Sequence, residues 1–112
     1  MDDLVQWLGC RLEEDERIAE AATPGPWHAR EDGVAAEDGE SRPFAHTDSR
    51  LGGVDCEHIA EHDPTRVLDE LTAETKLMAW ALKEPPATAE KVLRPLSEPY
   101  ANRPGYRDEW RP

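Results

Sequence analysis

Long apolar runs are missing from this chain of 112 residues. No stretch approaches the roughly 20 consecutive apolar residues that a membrane-spanning helix needs. A secretory signal is not expected either, since Met1-Asp2-Asp3 is acidic where such a signal has a basic start followed by an apolar segment. Basic residues are scarce: 13 Lys and Arg face 25 Asp and Glu, for a net charge of −12. Nucleic-acid binding needs a cationic surface that displaces counterions from phosphates, so this balance argues against it, and the same repulsion applies to anionic membranes. Cysteine is nearly absent, with Cys10 and Cys56 alone. Without an export signal both thiols are expected reduced in a cytoplasmic protein. The position of Cys10 in a helical pattern suggests a small core residue.

The chain is rich in charge and in helix-breaking residues. Charged side chains make up 34% and hydrophobic ones 38%, with ten prolines and seven glycines. This length supports a single small domain, residues 1–112, with one modest core and long irregular connections. The charge is uneven: residues 1–90 carry 8 basic and 22 acidic side chains, whereas residues 91–112 carry 5 and 3. An acidic body is either simply solvated or attractive to a basic partner.

Periodicity predicts a mainly α fold with a small β region. Residues 3–21 read as an amphipathic helix capped by Asp2 or Asp3. Leu4, Leu8 and Leu12 lie on one face, joined by Val5 and continued by Ile18, Ala19 and Ala22. Thr23-Pro24-Gly25-Pro26-Trp27 ends it, because two prolines and a glycine cannot continue a helix. Trp27–Arg30, Gly33–Glu37 and Arg42–Thr47 read as three short strands around a turn at Glu37-Asp38-Gly39-Glu40, forming either a small meander or an irregular loop. Asp55 is then expected to cap a short helix through His62. Asp63 as N-cap with Pro64 at the first helical position opens a longer helix to about Lys83. Its apolar face is Val67, Leu68, Leu71, Met78 and Leu82, flanked by Leu77 and Trp80. Pro85-Pro86 stops it. Thr88 is expected to cap a last helix through Leu96, burying Val92, Leu93 and Leu96, with Pro95 bending or shortening it. The tail holds Tyr100, Tyr106 and Trp110, three of the six Tyr and Trp residues. A tail so rich in aromatics is expected to dock on the helices, since disordered tails are poor in them.

Chemistry is suggested most directly by His58-Ile59-Ala60-Glu61-His62, an H-x-x-E-H pattern. Two histidines four apart on a helix can share a metal ion, with the intervening glutamate as base. A catalytic zinc needs a third protein ligand and a cleft, and here the helix stops at Asp63-Pro64, so a metalloprotease is disfavoured. A structural zinc is the softer alternative: Cys56, His58 and His62, with Asp55, Asp63 or His46 as fourth ligand. Cys56 and His58, two apart, would point in different directions on a regular helix. In the plainer reading His62 caps the end of the helix and His58 is partly exposed. Ser41, Ser49 and Ser97 lack a glycine-framed elbow, acidic pairs are too abundant to be specific, and Gly52-Gly53 lacks phosphate-loop spacing.

The order of motifs is more telling than any one of them. Met1-Asp2-Asp3-Leu4-Val5 is followed by Ala21-Ala22-Thr23-Pro24-Gly25-Pro26-Trp27, then His58-Ile59-Ala60-Glu61-His62-Asp63-Pro64-Thr65-Arg66-Val67-Leu68, then a close on Pro99-Tyr100-Ala101-Asn102-Arg103-Pro104-Gly105-Tyr106-Arg107-Asp108-Glu109-Trp110. This pattern resembles a family of small actinobacterial and actinophage proteins known only as a domain of unknown function. The resemblance implies an intracellular phage or mobile-element setting and supplies no activity, cofactor or catalytic residue. Many such members carry a cysteine-containing insert where this chain has Lys83-Glu84-Pro85-Pro86-Ala87-Thr88, and its lack of cysteine there lowers the metal expectation; members also often carry a basic residue where Glu61 stands, which a catalytic glutamate could not tolerate. The leading expectation is a non-enzymatic accessory or interaction protein that uses Trp27, Tyr100, Tyr106 and Trp110 for contact or docking, with a protein partner or a second copy. The alternative is a small-molecule or zinc-binding module using Cys56, His58 and His62.

Overall fold

Leucines spaced four apart set the first element. In the computed structural model Leu4, Leu8 and Leu12 form the buried stripe of α1 (Asp2–Ala21). The structure describes residues 2–36, 43–46 and 53–112, apart from the side chain of His46. The expected Glu37–Glu40 turn, the outer ends of the second and third strands, Ser41, Ser49, Gly52 and the His46 side chain lie outside the described residues. Further elements are β1 (Trp27–Ala29), β2 (Gly33–Ala36), β3 (Ala45–His46), α2 (Val54–Glu61), α3 (Pro64–Ala81) and α4 (Pro86–Ser97). Single 3₁₀ turns follow at Glu98–Tyr100 and Asp108–Trp110. The protein is therefore mainly α with a small antiparallel sheet.

The chain divides into two compact units. One comprises Met1–Asp15 and Glu70–Pro112, the other Glu16–Asp69. In the first, the buried set is Leu4, Leu8 and Leu12 of α1, Leu71 and Ala81 of α3, Ala89, Leu93 and Ser97 of α4, and Tyr100 and Trp110 of the tail. Leu8 and Leu93 are fully enclosed, and burial of a leucine side chain stabilises by about 1.5–3 kcal/mol. Ser97 keeps its hydroxyl satisfied by donating to the Arg94 carbonyl one turn back (2.8 Å).

The second unit is a meander of order β1-β2-β3 covered by α2. Antiparallel pairing sets Trp27 opposite Ala36 and Ala29 opposite Val34, and the Arg30 amide closes the hairpin on the Gly33 carbonyl (2.7 Å). Gly33, Val34 and Ala35 are buried in succession, as suits a central strand with neighbours on both sides. Cys56 of α2 is fully buried in this unit.

Several expectations need correction. Asp2 and Asp3 sit inside the first turn of α1, where their charge favours the helix dipole. Gly53, not Asp55, precedes α2. Thr88 lies within α4, which starts earlier because Pro86 takes the first helical position, where its missing amide costs nothing. Pro95 does not shorten α4, which runs to Ser97, one residue past the expected Leu96. The carbonyl it leaves without an amide belongs to Lys91, an exposed residue. Cys10, Ile18 and Leu82 are exposed, the last two at 55% and 51%. Periodicity placed them beside a buried stripe, and the stripe is narrower than the pattern.

Candidate functional site

The sharpest local geometry lies where Thr23–Trp27 meets the start of α3. Asp63 is almost fully buried, and both its carboxylate oxygens are engaged by backbone amides. Oδ1 accepts from Arg66 N–H at 2.9 Å, the N-cap bond that satisfies a first-turn donor of α3. Oδ2 accepts from Trp27 N–H at 3.0 Å, a contact spanning 36 residues of sequence. The Asp63 carbonyl takes the amide of Val67 (3.0 Å). The two motifs are thus one joint, with a single carboxylate as its pin.

The Thr23–Trp27 turn is shaped to reach that pin. The indole Nε1–H of Trp27 donates to the Thr23 carbonyl at 2.7 Å, folding the turn on itself. The Gly25–Pro26 peptide bond is cis. A Cβ on Gly25 would lie 2.5 Å from Thr65 Oγ1 and 2.8 Å from Asp63 Oδ2, so only glycine fits at this close approach. The Trp27 ring meets Phe44 edge-on, with centroids 4.9 Å apart.

Beside the joint, the H-x-x-E-H run ends α2. His62 is the C-cap residue, and its Nδ1–H donates to the His58 carbonyl at 2.8 Å. The rings of His58 and His62 lie with centroids 4.4 Å apart, tilted by 41° to each other, and both residues are exposed. Arg66 Nη1 reaches the Glu61 carbonyl (3.3 Å) and carboxylate (3.7 Å) across the corner. Cys56 is buried and forms no ligand group with the two histidines. Among the described residues no three His, Cys, Asp or Glu side chains come together as a metal site would require.

The aromatic tail forms a second constellation, within the first unit. Trp7 of α1 contacts both Tyr106 (5.6 Å) and Trp110 (5.5 Å), and these two meet edge-on at 5.7 Å. Arg11 lies over Trp7 and Arg107 over Trp110, at 5.6 and 5.3 Å from the ring centroids. Cation–π contacts of this kind contribute about 0.5–1 kcal/mol where exposed. Trp7 Nε1–H donates to the Pro104 carbonyl at 3.0 Å, and Gly105 follows with φ +92°. Arg103 holds Asp15 at 2.7 Å, which raises the guanidinium above its ordinary value. Tyr100 Oη–H donates to Glu74 at 3.3 Å; burial raises both groups above their ordinary values, and the nearby Glu74 charge adds to the shift at Tyr100.

A groove of ≈ 330 Å³ beside this cluster is lined by residues including Trp7, Cys10, Arg11, Arg107 and Trp110. The two arginines are already paired, Arg11 with Glu14 (3.1 Å) and Arg107 with Asp3 (3.1 Å), so the groove does not present bare cations to an anion. Of the four aromatics singled out in the sequence, Tyr106 and Trp110 gather here with Trp7, Tyr100 meets Glu74 and Arg103, and Trp27 belongs to the joint. Trp7 was missed, although its spacing of four from Arg11 on one helix face signals the stack. Trp80 was read as flanking and is 49% exposed.

These features define a small, mainly helical protein whose most elaborate polar geometry joins segments of its own chain. The chain belongs to the family of unknown function DUF6221, whose family model matches residues 1–112. No curated protein and no solved structure matches it.

Proposed function

We propose that this protein is a non-enzymatic interaction module, an accessory of the phage or mobile-element setting that its family resemblance implies, acting in the cytoplasm. The observation that carries the reading is the apolar face left on α3, where Leu77 and Trp80 are 48% and 49% exposed. Tryptophan is highly buried on average and is enriched among residues that dominate protein–protein binding.

Among the described residues, three groups of the kinds that support catalysis are occupied structurally. Cys56 is buried, the Ser97 hydroxyl serves its own helix, and His62 Nδ1 caps α2. Tyr100 and Trp110 are buried within the first unit, whereas Leu77 and Trp80 stand exposed one turn apart on α3, where a partner can reach both. A photo-crosslinking residue placed at position 80 should give discrete protein adducts in host lysate, whereas the same residue at exposed position 57 of α2 should not. Identical adduct patterns from the two positions, or none from either, would reject the proposal.

A further inference from the structure

We infer that the partner seated on α3 is a second copy of this chain, packed antiparallel about a two-fold axis that passes between Lys76 and Leu77. The inference rests on the reading of α3 as an interaction face and adds the identity of the partner.

Glu70, Ala73, Lys76, Leu77, Trp80 and Lys83 are all exposed and follow one another at spacings of three or four, with one immediate neighbour, along one side of α3 and its last turn. The Lys83 amide still bonds to the Trp80 carbonyl (3.1 Å), so the strip continues past Ala81. Reversing a second copy about the stated axis sets each Trp80 opposite the other copy's Ala73. The small residue leaves room for the large one, and the contact occurs twice by symmetry. The same operation sets Glu70 opposite Lys83, an opposite-charge pair that also occurs twice. A parallel arrangement would instead set Lys76 on Lys76 and Lys83 on Lys83, so the charges select the antiparallel form.

Electrostatics also favours this face for self-association. The chain carries −12, and two copies repel wherever acidic surfaces meet. On the α3 strip the one acid, Glu70, stands against Lys76 and Lys83, so the strip is free of the acidic excess that the chain carries as a whole. A strongly basic partner would choose an acidic surface over this one. From Glu70 to Lys83 the strip is about 20 Å long at the helical rise per residue. One helix pair of that length buries less than the roughly 800 Å² per partner of a standard interface, so a dimer with a dissociation constant of tens to hundreds of micromolar is expected.

Sedimentation equilibrium of the full chain from about 10 µM to 1 mM tests this. A monomer–dimer equilibrium is expected that strengthens roughly threefold or more when salt screens the repulsion between copies. Trp80→Ser should weaken it about tenfold or more. Lys83→Glu should weaken it, and the double change Glu70→Lys with Lys83→Glu should restore it. These positions are exposed, so circular dichroism should show an unchanged fold. A chain that stays monomeric throughout, a dimer indifferent to Trp80→Ser, or a double variant no better than Lys83→Glu would overturn the inference. If the purified chain stays monomeric while the position-80 probe captures another protein, the second copy is excluded and the interaction face stands. If the chain stays monomeric and the probe captures nothing, both readings fall.

Discussion

Replacing Asp63 by alanine removes two hydrogen bonds with one carboxylate, and their sizes can be worked out separately. The Oδ1 bond to Arg66 N–H at 2.9 Å is an N-cap, whose loss to alanine costs about 1 kcal/mol. The Oδ2 bond to Trp27 N–H at 3.0 Å has a charged acceptor in a part-buried setting, and bonds to charged groups contribute about 1.5–3 kcal/mol. The Trp27 amide is then left without its acceptor; water entering the gap recovers some of this, so a total loss of about 2–4 kcal/mol is expected. Asp63→Asn keeps one oxygen and turns an NH₂ group toward the other amide. It can serve one donor and not both, and should lose about half as much. Urea unfolding followed by far-ultraviolet circular dichroism gives the totals. Amide hydrogen exchange gives the site, with Trp27 and Arg66 accelerated in Asp63→Ala relative to amides elsewhere in the unit. A loss below about 0.5 kcal/mol, the size of an ordinary surface substitution, would refute the joint as a stabilising element.

Three further substitutions probe the first unit. Gly105→Ala should cost about 2–3 kcal/mol in urea unfolding, because φ +92° is strained for an L side chain and the new Cβ would sit 2.6 Å from Trp7 Nε1; a loss under about 0.5 kcal/mol would contradict that crowding. Tyr106 Oη is buried with no hydrogen-bond partner among the described residues, so Tyr106→Phe should be neutral or stabilising by up to about 1 kcal/mol, and a clear loss of stability would reveal a hidden partner. Burial raises the folded-state pKa of Glu74 above its ordinary value of 4.5, so its contribution is fully present below 4.5 and is lost as pH rises through the folded value. Glu74→Gln, which can still accept from Tyr100, should therefore match or exceed the parent stability at neutral pH, with the difference shrinking toward acid pH. A variant clearly less stable at neutral pH would show that the Tyr100 bond outweighs burial of the charge.

What could be read from the sequence was local. Asp63-Pro64 marked a helix start because an N-cap acceptor and a ring-fixed φ act within a few residues, and both appear at the head of α3. The Thr23–Trp27 stop and the leucine stripe of α1 were legible for the same reason. The second partner of Asp63 was not, since nothing local points to an amide 36 residues away. Thr88 was misjudged as a cap because capping preference competed with Pro86, whose fixed geometry started α4 earlier. Exposure of Ile18, Leu82 and Cys10 was hidden because periodicity defines a face without saying how much of it is covered. Trp80 is the consequential case: helical spacing placed it beside the core, while its exposure depends on what packs against α3.

The specificity of a motif and the presence of chemistry are separate matters, and this chain shows why. Thr23–Trp27 and Asp63–Arg66 are unusual as sequence because their geometry is demanding: a glycine with no room for a Cβ, an indole on the Thr23 carbonyl and a carboxylate between two amides. Each polar group that makes the pattern distinctive is already bonded to backbone. Beside them the His62 ring caps its own helix on the His58 carbonyl, and Arg66 takes the Glu61 carbonyl. A ligand at this corner would have to replace bonds that hold the unit together. Recognition is better sited where side chains are exposed, and Leu77 and Trp80 of α3 are 48% and 49% exposed.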